Sequence, residues 1–352
     1  MNSNFIINSE ERVLVTGANG FIGSKVVESL ISYGVKKIRC FVRPTGNITS
    51  LNNVLEGSDS SKIEIFRGNL LSKEDCRRAV DDVAVAFHLA AGNEKSFPGC
   101  FMNTVVTTRN LLEAISRIQG FRRFTNVSSF AVYSNMNLGR GTLLDESCEI
   151  EDKFMERYEA YCFSKVKQDE ILKEYGEAYN IPYVIVRPGS VYGPGTRQII
   201  PPRVGTGTFG VFMHIGGPNR LPFTYVDNCA EAMVLAGLTK GVDGEVFNIV
   251  DDDVPTSRQF LKLYKREVGH FKSIYIPFRL FYCFCILWEK YAKWSHFQLA
   301  PAFNRRKCAA LWKGNSYSNE KLKKMLGWEP KIAFANGSKM YFDYLRKVGG
   351  YK

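Results

Sequence analysis

Tyr161 and Lys165 stand four residues apart in the run Tyr161-Cys162-Phe163-Ser164-Lys165. Residues at that spacing share one face of a helix, so a phenol and an ammonium can point together into a cleft. An unperturbed phenol titrates at about pH 10, and a neighbouring cation favours its ionised form. The pair is therefore predicted to act as an acid/base nearer neutrality. Such a pair also arises by chance on an amphipathic helix with one solvated lysine, and Tyr158 is a second phenol nearby, without a lysine at i+4.

A second stretch offers a different chemistry. Gly17, Gly20 and Gly23 follow the apolar run Val13 to Val15 directly, and Ser24 to Ile31 carries apolar residues at helical spacing. Strand, glycine turn and helix in that order suit a pyrophosphate, because glycine permits close backbone approach and the helix N-terminus presents amides to negative charge. Asn19, Phe21 and Ile22 supply the rest of the turn and are predicted to share in cofactor binding. About 20 residues beyond the last glycine, a second strand from Lys36 to Val42 ends at Arg43-Pro44. An acid there would bind the 2′-hydroxyl of NAD(H), whereas arginine suits a 2′-phosphate, so NADP(H) is preferred over NAD(H).

The elements that must position these groups read as a parallel sheet. Further strands are predicted at Lys62 to Phe66, Val83 to Ala91, Phe124 to Val127, Tyr183 to Val186 and Gly244 to Val250, separated by helical stretches. That alternation predicts an α/β fold with a doubly wound parallel sheet. The 352 residues suffice for this unit and a smaller appended lobe.

Charge and cysteines bound the function further. A formal charge of +12 attracts phosphorylated ligands or anionic lipid, but no basic run interleaved with aromatics marks a nucleic-acid surface, and no nucleic-acid partner is expected. The nine cysteines are scattered, with no CxxC pair or zinc-type spacing, so no structural metal is expected. Met1 to Glu11 has no signal-peptide pattern, and together these features predict a cytoplasmic protein.

The ordered set of glycine turn, Gly68-Asn69-Leu70, His88-Leu89-Ala90-Ala91, Asn110-Leu111-Leu112, serine strand and Tyr161/Lys165 resembles the extended short-chain dehydrogenase/reductases of the epimerase/dehydratase superfamily. The resemblance runs from about Glu11 to Asp252. It implies a Rossmann sheet in which Tyr161 exchanges the proton of the reacting oxygen. Lys165 would hold the nicotinamide ribose and depress the tyrosine pKa, and Ser129 would hydrogen-bond the same oxygen. Asn69 stands where the family usually has an aspartate near adenine, followed by Leu70, while Ala90 and Ala91 line the cofactor and Pro188 and Val191 lie beside the nicotinamide. The implied division is a dinucleotide-binding part at 1–195, with segments returning at about 223–252, and a smaller C-terminal substrate-binding lobe at 196–222 and 253–352. The chain leaves the sheet through Gly205 to Gly210.

Two departures narrow the substrate. Relatives acting on nucleotide sugars carry an Arg-Asp pair just before the segment Phe223-Thr224-Tyr225-Val226-Asp227, where this chain has Leu221-Pro222 and Arg220 stands one residue early. Relatives that eliminate water carry Asp-Glu where this chain has Phe130-Ala131. Ser318 to Pro330 and the apolar segment 276–294 resemble the 3β-hydroxysteroid dehydrogenase-like and dihydroflavonol reductase-like branch. The uncharged run Leu280 to Trp288 is too short to cross a bilayer, leaving a buried helix, a homodimer contact or a peripheral membrane contact through 276–294. The expected function is hydride transfer at a secondary alcohol or ketone of a lipophilic small-molecule substrate. A nucleotide-sugar epimerase and a non-catalytic NAD(P)-binding regulatory module are the alternatives.

Overall fold

Seven short runs of β-branched and apolar residues pair into one parallel sheet in a computed structural model that describes residues 2–56, 63–196, 200–208 and 210–349. Lys62, expected in the third strand, and Phe209, expected in the exit segment, lie outside the described residues. The strands are β1 (Arg12–Thr16), β2 (Lys37–Val42), β3 (Ile63–Arg67), β4 (Val83–His88), β5 (Arg123–Val127), β6 (Tyr183–Pro188) and β7 (Val246–Ile249). Their order across the sheet is β3-β2-β1-β4-β5-β6-β7, and every pairing is parallel. The order reverses between β1 and β4, which opens a crevice at the carboxyl ends of those strands, the usual place for a ligand in such sheets.

Alternation along the strands divides the core in two. Val13, Val15, Val85, Phe87, Val184 and Val186 face the helices α1 (Phe21–Ser32) and α4 (Val226–Leu238). Leu14, Ala86, Phe124 and Ile185 face the opposite layer, which α2 (Thr107–Ile115) and α3 (Ala160–Tyr179) cover. Burial on both faces is why these strands are continuously apolar rather than alternating with polar residues. Trp328 is fully buried against the first layer, its indole N–H donating to the Asn228 carbonyl at 3.2 Å.

β4 ends at His88, three residues before the expected end at Ala91. The chain leaves the ladder because the Ala90 amide donates to the Thr16 hydroxyl at 3.2 Å, which pulls Ala90 over the glycine turn.

The remaining elements form a lobe beyond the carboxyl edge. A hairpin of Gly205–Thr208 and Val211–His214 pairs with Ser273–Tyr275, and two helices, α5 (Phe278–Trp294) and α6 (Arg305–Trp312), pack together over it through Phe281, Cys285, Cys308 and Trp312. α5 has 17 residues, and no described helix is long and apolar enough to cross a membrane.

Candidate active site

The glycine turn is tightest at its two ends, Gly17 and Gly23. Gly17 has φ of +69°, in the left-handed region that glycine tolerates. A Cβ on Gly23 would lie 2.1 Å from the Gly17 carbonyl oxygen, so α1 can start this close to β1 only with glycine there. Gly20 caps α1 without a side-chain hydrogen bond, and the first turn of the helix carries no acidic residue. Uncapped amides and a bare positive helix end fit a pyrophosphate.

Asn19 ties this turn to the loop after β2, its amide donating to the Asn47 carbonyl at 2.7 Å. Arg43 stands exposed at the mouth of that loop, and its guanidinium makes no ion pair among the described residues. Asn69 lies farther along the same edge, where its side-chain oxygen accepts the Leu71 amide at 3.0 Å in a local turn. The Leu70 carbonyl accepts from Asn110 at 3.0 Å, which fixes that segment against α2.

Ser129 follows β5 and caps a short 3-10 turn, its hydroxyl accepting the Ala131 amide at 3.1 Å. The same hydroxyl hydrogen-bonds the Tyr161 phenol, which projects from the first turn of α3. Lys165 is one turn on, with its Nζ 6.0 Å from the Tyr161 ring centre. The three candidates therefore share one cleft. Tyr158 is not part of it: it ends the short helix Phe154–Arg157 in a left-handed conformation and leans on Phe97.

The electrostatics of the phenol differ from expectation. Burial pushes the Tyr161 pKa up to about 12, outweighing the Ser129 hydrogen bond that lowers it, and Glu159, Cys100 and Asp169 raise it further. The ammonium expected to depress it is itself buried, and burial lowers Lys165 to about 8 despite Asp169 and Cys100. At neutral pH Tyr161 thus carries its proton.

The wall behind Lys165 is polar and buried, and sequence reasoning did not find it. Lys165 Nζ donates to the Val127 carbonyl at 2.7 Å and to Gln168 at 2.9 Å. Asp169 accepts from Asn126 at 2.9 Å, Ser128 at 2.8 Å and Arg187 at 3.2 Å. The available signal was the polar pair Gln168-Asp169 at i+3 and i+4 from the lysine, on the face of the helix that must be buried. Pro188 ends β6 beside this wall, and Val191 pairs with Thr224 just outside it.

The lobe holds an open pocket of about 370 Å³ whose lining includes Ile200, Phe212, Phe281, Phe303, Leu311 and Trp312, with Thr206, Asn304 and Lys307 as polar groups. The Asn304 amide donates to the Arg157 carbonyl at 2.8 Å, which ties this cavity to the segment leading into Tyr161. Leu221 is buried and Arg220 is exposed. Phe130 is buried against Tyr133 and Tyr317.

The model of the NAD dependent epimerase/dehydratase family matches residues 13–250. Sterol-4-alpha-carboxylate 3-dehydrogenase, decarboxylating, of Bos taurus is 24% identical over 97% of this chain and 95% of its own length. UDP-glucuronic acid 4-epimerase from Bacillus cereus, solved in complex with NAD, superposes with a TM-score of 0.70 at 22% identity, over 96% of this chain and 97% of that one. dTDP-glucose 4,6-dehydratase from Bacillus anthracis, also with NAD, gives 0.70 at 23% identity, over 96% of each chain. These structural likenesses bear on the fold.

Proposed function

We propose, from the premise that this chain belongs to the NAD dependent epimerase/dehydratase family, that it transfers hydride between NADP(H) and a lipophilic secondary alcohol or its ketone. It is an NAD(P)-dependent enzyme of the extended short-chain dehydrogenase/reductase type. The observation that carries the reading is the hydrogen bond between Ser129 and a protonated Tyr161, one helical turn from Lys165.

A nicotinamide cofactor bound here would supply or accept the hydride. The chain's own residues do the rest. Gly17, Gly20 and Gly23, with the amides of Asn19, Phe21 and Ile22, hold the pyrophosphate, and Arg43 pairs with the 2′-phosphate. Asn69 and Leu70 would border the adenine, Ala90 and Ala91 the middle of the cofactor, and Pro188 and Val191 the nicotinamide. Tyr161 gives its proton to the ketone oxygen in reduction and takes it back in oxidation. Ser129 hydrogen-bonds the same oxygen and orients it, and Lys165 holds the ribose. We assign 1–195 and about 223–252 to the cofactor half, and 196–222 and 253–352 to the substrate half.

The pocket in the lobe supports this substrate class. Its aromatic and aliphatic lining suits an apolar ring system, and the Leu221 position lacks the cation a sugar diphosphate would need. Similarity over nearly the full chain to a sterol dehydrogenase supports the same class. On α5, exposed Leu280, Phe284, Leu287, Tyr291 and Trp294 recur at helical spacing along one face, with exposed Arg279, Lys290 and Lys293 beside them. That face fits an anionic lipid surface, while Phe281 and Cys285 on the opposite face line the cavity.

The test offers NADPH and NADH, each deuterated at C4, with a panel of apolar cyclic ketones. Deuterium on the product carbinol carbon, with NADPH the better donor, supports the reading. Absence of transfer, combined with interconversion of UDP-sugars by protein retaining a tightly bound NAD, would replace it with the epimerase reading.

A further inference from the structure

Behind Lys165 runs a chain of buried side chains whose proton positions are all determined. The Gln168 side-chain oxygen accepts from Lys165 Nζ at 2.9 Å, an orientation the ammonium enforces, because the reversed amide would present N–H to N–H. Gln168 Nε2 then donates to Thr108 Oγ1 at 2.9 Å. The Thr108 hydroxyl proton is committed to the Thr104 carbonyl at 2.6 Å. Toward His88 Nε2, 2.9 Å away, Thr108 can therefore only accept, so the imidazole carries its proton on Nε2. Burial, and secondarily Lys165, lowers the His88 pKa to about 3 and keeps the ring neutral. Its Nδ1 must accept from the Thr16 hydroxyl at 2.8 Å, and the Thr16 oxygen takes the Ala90 amide at 3.2 Å. Thr16, His88, Thr108, Lys165 and Gln168 are all buried.

We propose that Gln168 is a positioning residue that, anchored through Thr108, His88 and Thr16 to the start of the glycine turn, fixes Lys165 so that one ammonium N–H remains for the cofactor. The count supports this: of three ammonium protons, one goes to the Val127 carbonyl and one to Gln168. The same chain ends on the Ala90 amide, above the turn that cradles the pyrophosphate, so both ends of the cofactor site share one rigid frame. A flexible lysine aimed without such a frame would lose rotamer entropy each time it engaged a ribose. The inference rests on the reading of Lys165 as the ribose ligand.

The test uses Gln168→Met, which keeps length and volume but removes the acceptor. Lys165 titration in the unliganded protein is followed by NMR of lysine labelled at Cε and assigned with Lys165→Arg. The charged and titratable groups facing this ammonium are Asp169 on its own helix, Cys100 from the segment before α2, His88 from β4 and the Tyr161 phenol. All are unchanged in the variant. The Lys165 midpoint should fall by about one pH unit on loss of a hydrogen bond to the charged form. Fluorescence titration with NADPH and NADH should show roughly tenfold weaker binding, as expected for about 1.4 kcal/mol. In Gln168→Glu the midpoint should rise above that of the parent protein.

A Lys165 midpoint unmoved in Gln168→Met, whatever happens to thermal stability, overturns the proposal and leaves Gln168 as a packing residue. Should Gln168→Met fail to fold, Thr108→Val removes the anchor one link away, and the same measurement decides. A lowered midpoint with unaltered nucleotide affinity would uphold the positioning of Lys165 while refuting its role as ribose ligand.

Discussion

Replacing Asp251 by Asn should make the protein more stable at alkaline pH and hardly so in acid. Asp251 follows β7 and is buried, with Oδ2 accepting the Tyr225 amide at 2.8 Å where α4 begins. Burial raises its pKa to about 7, opposed by hydrogen bonds from the Tyr225 amide and Asn228, and reinforced by the neighbouring Asp252 and Asp253. An unfolded aspartate titrates at about 3.9. Between the two values the folded chain holds a proton that the unfolded chain has lost, so stability falls as pH rises through this window and stays low above it. At about pH 5 the penalty is about 1–2 kcal/mol and at about pH 8 about 4 kcal/mol, so the advantage of the variant should widen by roughly 2–3 kcal/mol between them. Urea unfolding of both proteins across that range measures this directly. A difference that does not change with pH would show that Asp251 is solvated in the folded state and refute the reasoning.

Tyr161→Phe should lower turnover at least about 1,000-fold while NADPH affinity stays within about twofold, because the phenol acts in proton transfer; steady-state rates and fluorescence titration check both halves. Arg43→Ala should weaken NADPH by about tenfold or more and leave NADH unaltered, consistent with loss of one charge-assisted contact, and equal losses for both nucleotides would assign Arg43 no part in discrimination. Leu287→Ser combined with Trp294→Ser should reduce co-sedimentation with anionic liposomes without shifting the melting temperature, since both side chains are exposed; binding that persists would place the lipid contact elsewhere.

What could be read from sequence was local. The glycine turn is legible because Gly17 and Gly23 each demand glycine for a steric reason, and the strand and helix beside them are continuous apolar patterns. Tyr161 and Lys165 are legible because i and i+4 share a face on any helix. The direction of the Tyr161 shift was not, since burial of the phenol depends on α3 meeting β5 and the segment around Cys100. Likewise the contacts from Gln168 to Thr108 and from Thr108 to His88 join residues 60 and 20 positions apart, and no periodicity reports them. The run Leu280 to Trp288 within α5 is uncharged on every side, so its pattern could not say which side is covered. Packing of Phe281 and Cys285 against α6 decides that one face is core and the other bare.

If α5 docks on lipid as proposed, that two-faced helix also determines which concentration the enzyme answers to. A lipophilic ketone that reaches the cavity across α5 comes from a film of lipid, so the relevant quantity is its mole fraction in that film. Diluting the substrate with inert lipid at constant total substrate should then slow turnover, whereas adding buffer to the same vesicles should not. Rates would follow surface dilution, and a Michaelis constant expressed per volume of solution would change with the amount of lipid in the tube.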